Sequence, residues 1–121
     1  AASDPVLATT WSDWNNNVPN YTDPNHYSSQ NALVGGLDLS QFNVIVIRWL
    51  PDRVEWLVNG HLIRTATTAV PDEDTDIRLN VWAPASGWSD AFSGRLAPAK
   101  NARQNQTFFY DVDYVEVRTI P

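Results

Sequence analysis

Arg78, Asn80 and Trp82 stand at alternate positions in the run Ile77-Arg78-Leu79-Asn80-Val81-Trp82. In a β-strand such positions share one face, while Ile77, Leu79 and Val81 share the other. A cation, an amide and a large flat ring on one surface suit a sugar. The indole covers the apolar C–H face of a pyranose, and the amide and guanidinium donate to its hydroxyls. Trp88 follows in the aromatic loop Gly87-Trp88-Ser89-Asp90-Ala91-Phe92-Ser93-Gly94, and Trp11 lies at the end of an apolar segment beside polar neighbours. Trp11, Arg78, Asn80, Trp82 and Trp88 are the candidate substrate-binding residues, because binding sites are carried disproportionately by loops and strand ends on a rigid scaffold.

Catalysis is less well supplied. Hydrolysis of a glycosidic bond needs two carboxyl groups, about 5–5.5 Å apart for retention or about 6.5–9.5 Å for inversion. Asp111-Val112-Asp113-Tyr114-Val115-Glu116 offers three acids. In a regular strand the first two share a face and the third points away, unless a bulge turns it round. Solvated acids on a terminal strand, or a cation ligand at Asp113, are the simpler reading. Asp72, Glu73, Asp74 and Asp76 form an acidic turn after Pro71, read as a solvated face or a weak calcium contact. No residue is assigned a catalytic role.

His26 and His61 lack metal-ligand spacing: His61 follows the turn pair Asn59-Gly60, and His26 sits among polar loop residues that could touch a ligand. No nucleophile-elbow pattern supports a Ser–His–Asp triad, and no glycine-rich loop could cradle a phosphate. The chain has no cysteine, so disulfides, thiolate nucleophiles and cysteine–zinc sites are excluded. Asn20-Tyr21-Thr22 and Asn105-Gln106-Thr107 match the glycosylation sequon, weak support for a secreted, extracellular protein.

With 8 basic residues against 14 acidic ones in 121, and a net charge of −6, the chain is a poor nucleic-acid ligand, since phosphate binding draws on clustered Lys and Arg. The longest purely apolar run, Val44 to Ile47, is far short of the about 20 residues that span a bilayer as a helix; no membrane partner is expected. No methionine occurs, and a chain starting at Ala1 is read as one from which an upstream segment was removed.

Positioning these side chains falls to strands. Leu7 to Trp11, Gln30 to Leu37, Phe42 to Leu50, Arg53 to Val58, His61 to Thr67, Ile77 to Ala83 and Thr107 to Thr119 are rich in β-branched and aromatic residues. Leu50-Pro51-Asp52-Arg53 and Asn59-Gly60 are tight-turn sequences, so Phe42 to Thr67 reads as a three-stranded meander. No window shows a helical apolar period. Ser12 to Ser29 and Pro84 to Gln106 are expected to be long, ordered, cleft-lining loops. Of the six tryptophans, Trp49 and Trp56 are assigned to the core.

Taken together, these segments resemble glycoside hydrolase family 16, the laminarinase and lichenase group of β-glucanases. Phe42 to Trp49, Pro51-Asp52-Arg53-Val54-Glu55-Trp56-Leu57-Val58-Asn59-Gly60 and Ile63-Arg64-Thr65 resemble its Y-x-I-x-W-x-P-D-x-I-x-W-Y-V-D-G meander. Ile77 to Trp82 is similar to its M-x-L-x-L-N-L-W strand, Trp88 to Gly94 to its W-x-G-x-F-x-G loop, and Phe109 to Val117 to its closing Y-V-D-Y-V-R-V strand. The matches run in the family's order over most of residues 30–118.

The resemblance implies an all-β, antiparallel, concanavalin A-like jelly-roll sandwich, of which residues 1–121 form a single C-terminal portion, about half of the family's domain. It implies retaining endo-hydrolysis of β-1,3- or β-1,3-1,4-glucan. The family's E-x-D-x-x-E signature is missing, so the catalytic glutamates would lie upstream and this chain would be inactive alone, supplying cleft wall and substrate binding. Carried over, Asn80, Trp82 and Trp88 are cleft residues, Trp11 neighbours the missing catalytic strand, and Asp113 matches a calcium-site aspartate whose other ligands are upstream. No cofactor is required; the resemblance leaves room for a structural calcium. The expected partners are β-glucan polysaccharide and either the missing N-terminal half or a second copy of the chain, since half a sandwich leaves edges and an apolar face open. A non-catalytic β-glucan-binding, lectin-like module is the alternative. A third reading is a complete small lectin-like sandwich using Asp111, Asp113 and Glu116.

Overall fold

The computed structural model describes residues 5–12, 23–34, 37–81, 94 and 99–121; the side chains of Pro5, Val6, Trp11, Asn31 and Leu33 are outside the description. Among the described residues, five antiparallel strands form two sheets: β1 (Pro5–Trp11) with β2 (Tyr27–Leu33), and β3 (Ile45–Leu50), β4 (Arg53–Val58) and β5 (His61–Ala66) in that order. A 3-10 turn at Ala102–Gln104 is capped by the Asn101 side chain accepting from Arg103 N–H. The protein is all-β, with the strand content of a jelly-roll-like sandwich fragment.

Local chemistry fixes the meander. Leu50 pairs with Arg53 across Pro51-Asp52, and Val58 pairs with His61 across Asn59-Gly60. Asn59 and Gly60 both have positive φ, 51° and 83°, the backbone that a two-residue hairpin needs to match strand twist. The Asn59 side chain also accepts from Val44 N–H at 2.9 Å and donates to Asn43 Oδ1 at 2.9 Å, closing the start of β3. Trp56 pairs with Arg64 but Leu57 pairs with Leu62. The extra residue, Ile63, bulges there and packs against the core.

That core sits between the sheets. Val54, Trp56 and Ala66 of the meander meet Ala8 of β1, with Ile63 and Val70 around them. Thr10 is buried beside them, its hydroxyl donating to Thr68 O at 3.2 Å. Arg64, only 8% exposed, crosses the gap: its guanidinium donates to Ala8 O, to Ser28 O at 3.3 Å and to Ser28 Oγ at 2.6 Å. Among the described residues every buried side-chain nitrogen and oxygen has a partner. Trp56 is core as expected, at 7% exposed. Trp49 is not: it is 42% exposed, on an edge strand, with Nε1 donating to Pro71 O at 2.8 Å.

Several boundaries differ from the sequence reading. β2 begins three residues earlier and ends sooner, because Asp23 builds a turn ahead of it: Asn25 N–H donates to Asp23 Oδ1, and His26 and Tyr27 N–H to Asp23 O. β3 starts at Ile45 because the Asn43 amide is engaged by Asp38 O and Gln41 O in a loop. More important, Ile77–Val81 and Thr107–Thr119 are not strands, and their residues are exposed. Both have the alternation and β-propensity of strands, but a strand also needs a neighbouring edge for its backbone donors and acceptors, and neither is paired among the described residues.

The chain divides into two compact units, residues 1–75 and 76–121. The first holds both sheets and the core. The second holds the 3-10 turn and an extended, solvent-facing terminal segment from Thr107 to Pro121.

Candidate functional site

The structure gathers polar and aromatic groups at one end of the β1–β2 ladder. Trp11 closes β1 opposite Tyr27, the first residue of β2, and Ser12 N–H donates to His26 O at 3.1 Å just beyond that pair. The Asp23 turn delivers His26 to this end, with Nε2 3.8 Å from Asp23 Oδ2 and Nδ1 3.4 Å from Ser12 Oγ. Arg64 holds the next residue, Ser28, against the meander, so the ladder end is anchored from the core.

Serine, histidine and aspartate thus come together where the sequence pattern supports no triad. The geometry still does not make one. Ser12 Oγ donates to Asn25 O at 3.1 Å, so its proton is directed at a carbonyl and not at the imidazole. A general base must face the proton that it removes. What the cluster offers is a half-exposed set of hydroxyl, imidazole, carboxylate and amide beside two aromatic positions, a surface chemistry that fits sugar hydroxyls. Spacing could not show it, since Ser12 and His26 meet only through the register of β1 with β2.

Arg78 and Asn80, expected on one strand face with Trp82, are the described part of that set. Arg78 and Asn80 lie in an unpaired, exposed segment, so no ladder fixes them to one side. The Arg78 guanidinium is engaged by Asp76 at 3.2 Å, with both side chains more than three-quarters exposed. Trp82 and Trp88 lie outside the described residues. Of the five substrate-binding candidates, Trp11 is the one that lies in the same strand pair as the new cluster.

The described acids are a poor catalytic set. All except Asp23 and Glu55 are exposed. Glu55 is occupied by Arg53 Nε at 2.8 Å and Arg48 at 3.3 Å. Hydrogen bonds from Ser40 hold Asp38 below the usual carboxylate range, and those from Arg118 do the same for Glu116. A general acid at neutral pH needs the opposite displacement. Burial lowers the pKa of Arg64, with an opposing contribution from Tyr27, in a range where it stays charged at ordinary pH. Asp113 is exposed, and among the described residues no three histidine or acidic side chains converge on a metal position. These residues do not by themselves fit a calcium, which takes 6–8 oxygens.

No protein-family model and no solved structure matches the chain. Curated relatives do. A β-glucanase of Brevibacillus brevis is 35% identical over 66 residues, 52% of this chain and 26% of that protein. A β-glucanase of Bacillus licheniformis is 30% identical over 57 residues, covering 46% and 24%, and one of Paenibacillus polymyxa is 32% identical over 62 residues, covering 49% and 26%. The match thus spans about a quarter of each relative's length, and over about half of its own length this all-β chain is similar to part of the bacterial β-glucanases.

Proposed function

We propose that the chain is the C-terminal portion of a glycoside hydrolase family 16 jelly roll, supplying substrate-binding surface to a retaining endo-β-glucanase. The observation that carries this reading is the similarity to three proteins named β-glucanase. The substrate class is β-1,3- or β-1,3-1,4-glucan, and a polymeric substrate places the protein outside the cell. The two catalytic carboxylates would come from outside these residues, since the described acids are solvated or paired. Trp11 and the neighbouring Ser12, His26 and Asp23 would contact sugar, together with Trp82 and Trp88. A calcium at Asp113 would draw its remaining ligands from outside the described residues.

A non-catalytic β-glucan-binding module is the second reading, favoured by the exposure of nearly all described carboxylates. Two assays separate the outcomes. In affinity electrophoresis through laminarin or lichenan gels, the chain is expected to be retarded, with Trp88→Ala and Trp11→Ala reducing the effect. Reducing-sugar release by the chain alone is expected to be nil under both readings; turnover would overturn both. Appearance of turnover when an E-x-D-x-x-E-bearing upstream polypeptide is joined to the chain decides for the enzyme, and its absence with binding intact decides for the module. Failure to bind either glucan overturns both readings.

A further inference from the structure

Asn59-Gly60 is the only Asn-Gly pair in the chain. An asparagine before glycine can lose its side-chain amide in water, because no Cβ shields the following backbone nitrogen from Cγ. Both residues are exposed, and a Cβ built on Gly60 would meet nothing within 4 Å, so water reaches the turn. The carboxamide, however, is clasped. Its Oδ1 accepts from Val44 N–H at 2.9 Å, its Nδ2 donates to Asn43 Oδ1 at 2.9 Å, and the Asn59 N–H donates to Val44 O at 2.8 Å. The orientation of Asn43 is set in turn by its own Nδ2, which donates to Asp38 O and Gln41 O, both at 2.9 Å. The reactive amide is thus tied to the residues that lead into β3.

We propose that Asn59 is a deamidation site gated by its clasp to Asn43 and Val44, and that its modification loosens the start of β3 and the β4–β5 hairpin together. When the clasp opens, the Gly60 backbone nitrogen gives up its proton to solvent and attacks Cγ. A C–N bond closes a cyclic imide, the Cγ–Nδ2 bond breaks, and ammonia leaves with a proton returned from water. Water then adds to either imide carbonyl, leaving aspartate or isoaspartate. Neither product rebuilds the clasp. Aspartate has no Nδ2 donor, so a carboxylate oxygen meets the Asn43 Oδ1, acceptor against acceptor. Isoaspartate adds a methylene to the backbone of a turn whose positive φ values, 51° and 83°, match the flanking strands.

Peptide mapping by mass spectrometry during incubation in heavy-oxygen water at mildly alkaline pH tests this. Heavy oxygen is expected at residue 59 of the folded chain, and at least about tenfold faster in the chain unfolded by urea, because only the open fraction reacts. Asn43→Ala should raise the folded-state rate about threefold to tenfold, the change in open population that a lost hydrogen bond produces, and leave the rate in urea unchanged. Ser28→Ala, which loses a contact made by the other sheet, should not raise it. A further measurement needs no variant: the folded-state rate should stay level as urea rises toward the unfolding transition, since the clasp opens without unfolding the core. The modified fraction, separated by ion exchange, should unfold at lower urea than the unmodified chain. No incorporation at residue 59 of the folded chain, equal rates in the folded and unfolded chain, or a folded-state rate that climbs steadily with urea overturns the proposal. So does an unchanged rate in folded Asn43→Ala, acceleration as large in Ser28→Ala, or a modified fraction as stable as the unmodified one.

Discussion

Arg64 lies over the indole of Trp56, its guanidinium carbon 5.1 Å from the ring centroid, and the two are cross-strand partners where the β4–β5 register shifts. The pair does two jobs with one side chain. The stacked face of the guanidinium seals the core, and its edge donates to β1 and β2. A cation inside a small sandwich is thereby solvated by carbonyls and a hydroxyl instead of water.

Arg64→Ala should therefore destabilise the fold by about 2–4 kcal/mol, since Ala8 O and Ser28 lose a charged donor within a closed interface. Arg64→Lys should recover little, because a lysine ammonium lacks the planar fork that reaches both strands while stacking. Urea denaturation followed by tryptophan fluorescence measures both. Equal stability of Arg64→Lys and wild type would contradict the role given to the fork.

Gly60→Ala isolates backbone strain from packing. A Cβ at Gly60 would meet nothing within 4 Å, yet φ is +83°. The expected cost is about 1 kcal/mol, read as a lower denaturation midpoint with an unchanged slope. A neutral substitution would mean that the turn relaxes without that conformation.

Glu55 serves two arginines at once, Arg48 from β3 and Arg53 from its own strand. Glu55→Ala should cost about 1 kcal/mol, and the loss should shrink at high salt because the arginines are substantially exposed. Thermal melts at low and high ionic strength check it; a salt-independent cost would point to packing alone.

Asp38 sets an acid limit. Hydrogen bonds from the hydroxyl and N–H of Ser40 lower its folded pKa, so its contribution is complete above the unfolded value and is lost as pH falls through the lowered folded value. Stability should decline below about pH 4, and less steeply in Asp38→Asn, which no longer titrates at this position. Glu116, held by Arg118, acts with the same sign, so some slope should remain. An identical acid slope in Asp38→Asn and wild type would rule out the Ser40 contribution.

Sequence alone determined the meander. Pro51-Asp52 and Asn59-Gly60 are local instructions, and β4 has the boundaries that its residues dictate. The same local strength misled at Ile77–Val81 and Thr107–Thr119, where alternation was present but a paired edge was not. Propensity is a property of a segment, whereas a strand is a property of a pair. Trp49 and Trp56 show the same division: both have strand-core composition, but only Trp56 lies on a central strand with β1 packed over it. Tertiary structure alone decided that Arg64 would be buried and that Ser12, His26 and Asp23 would meet. Both depend on contacts between residues far apart in the chain, set by the register of β1 with β2 and by the packing of one sheet on the other.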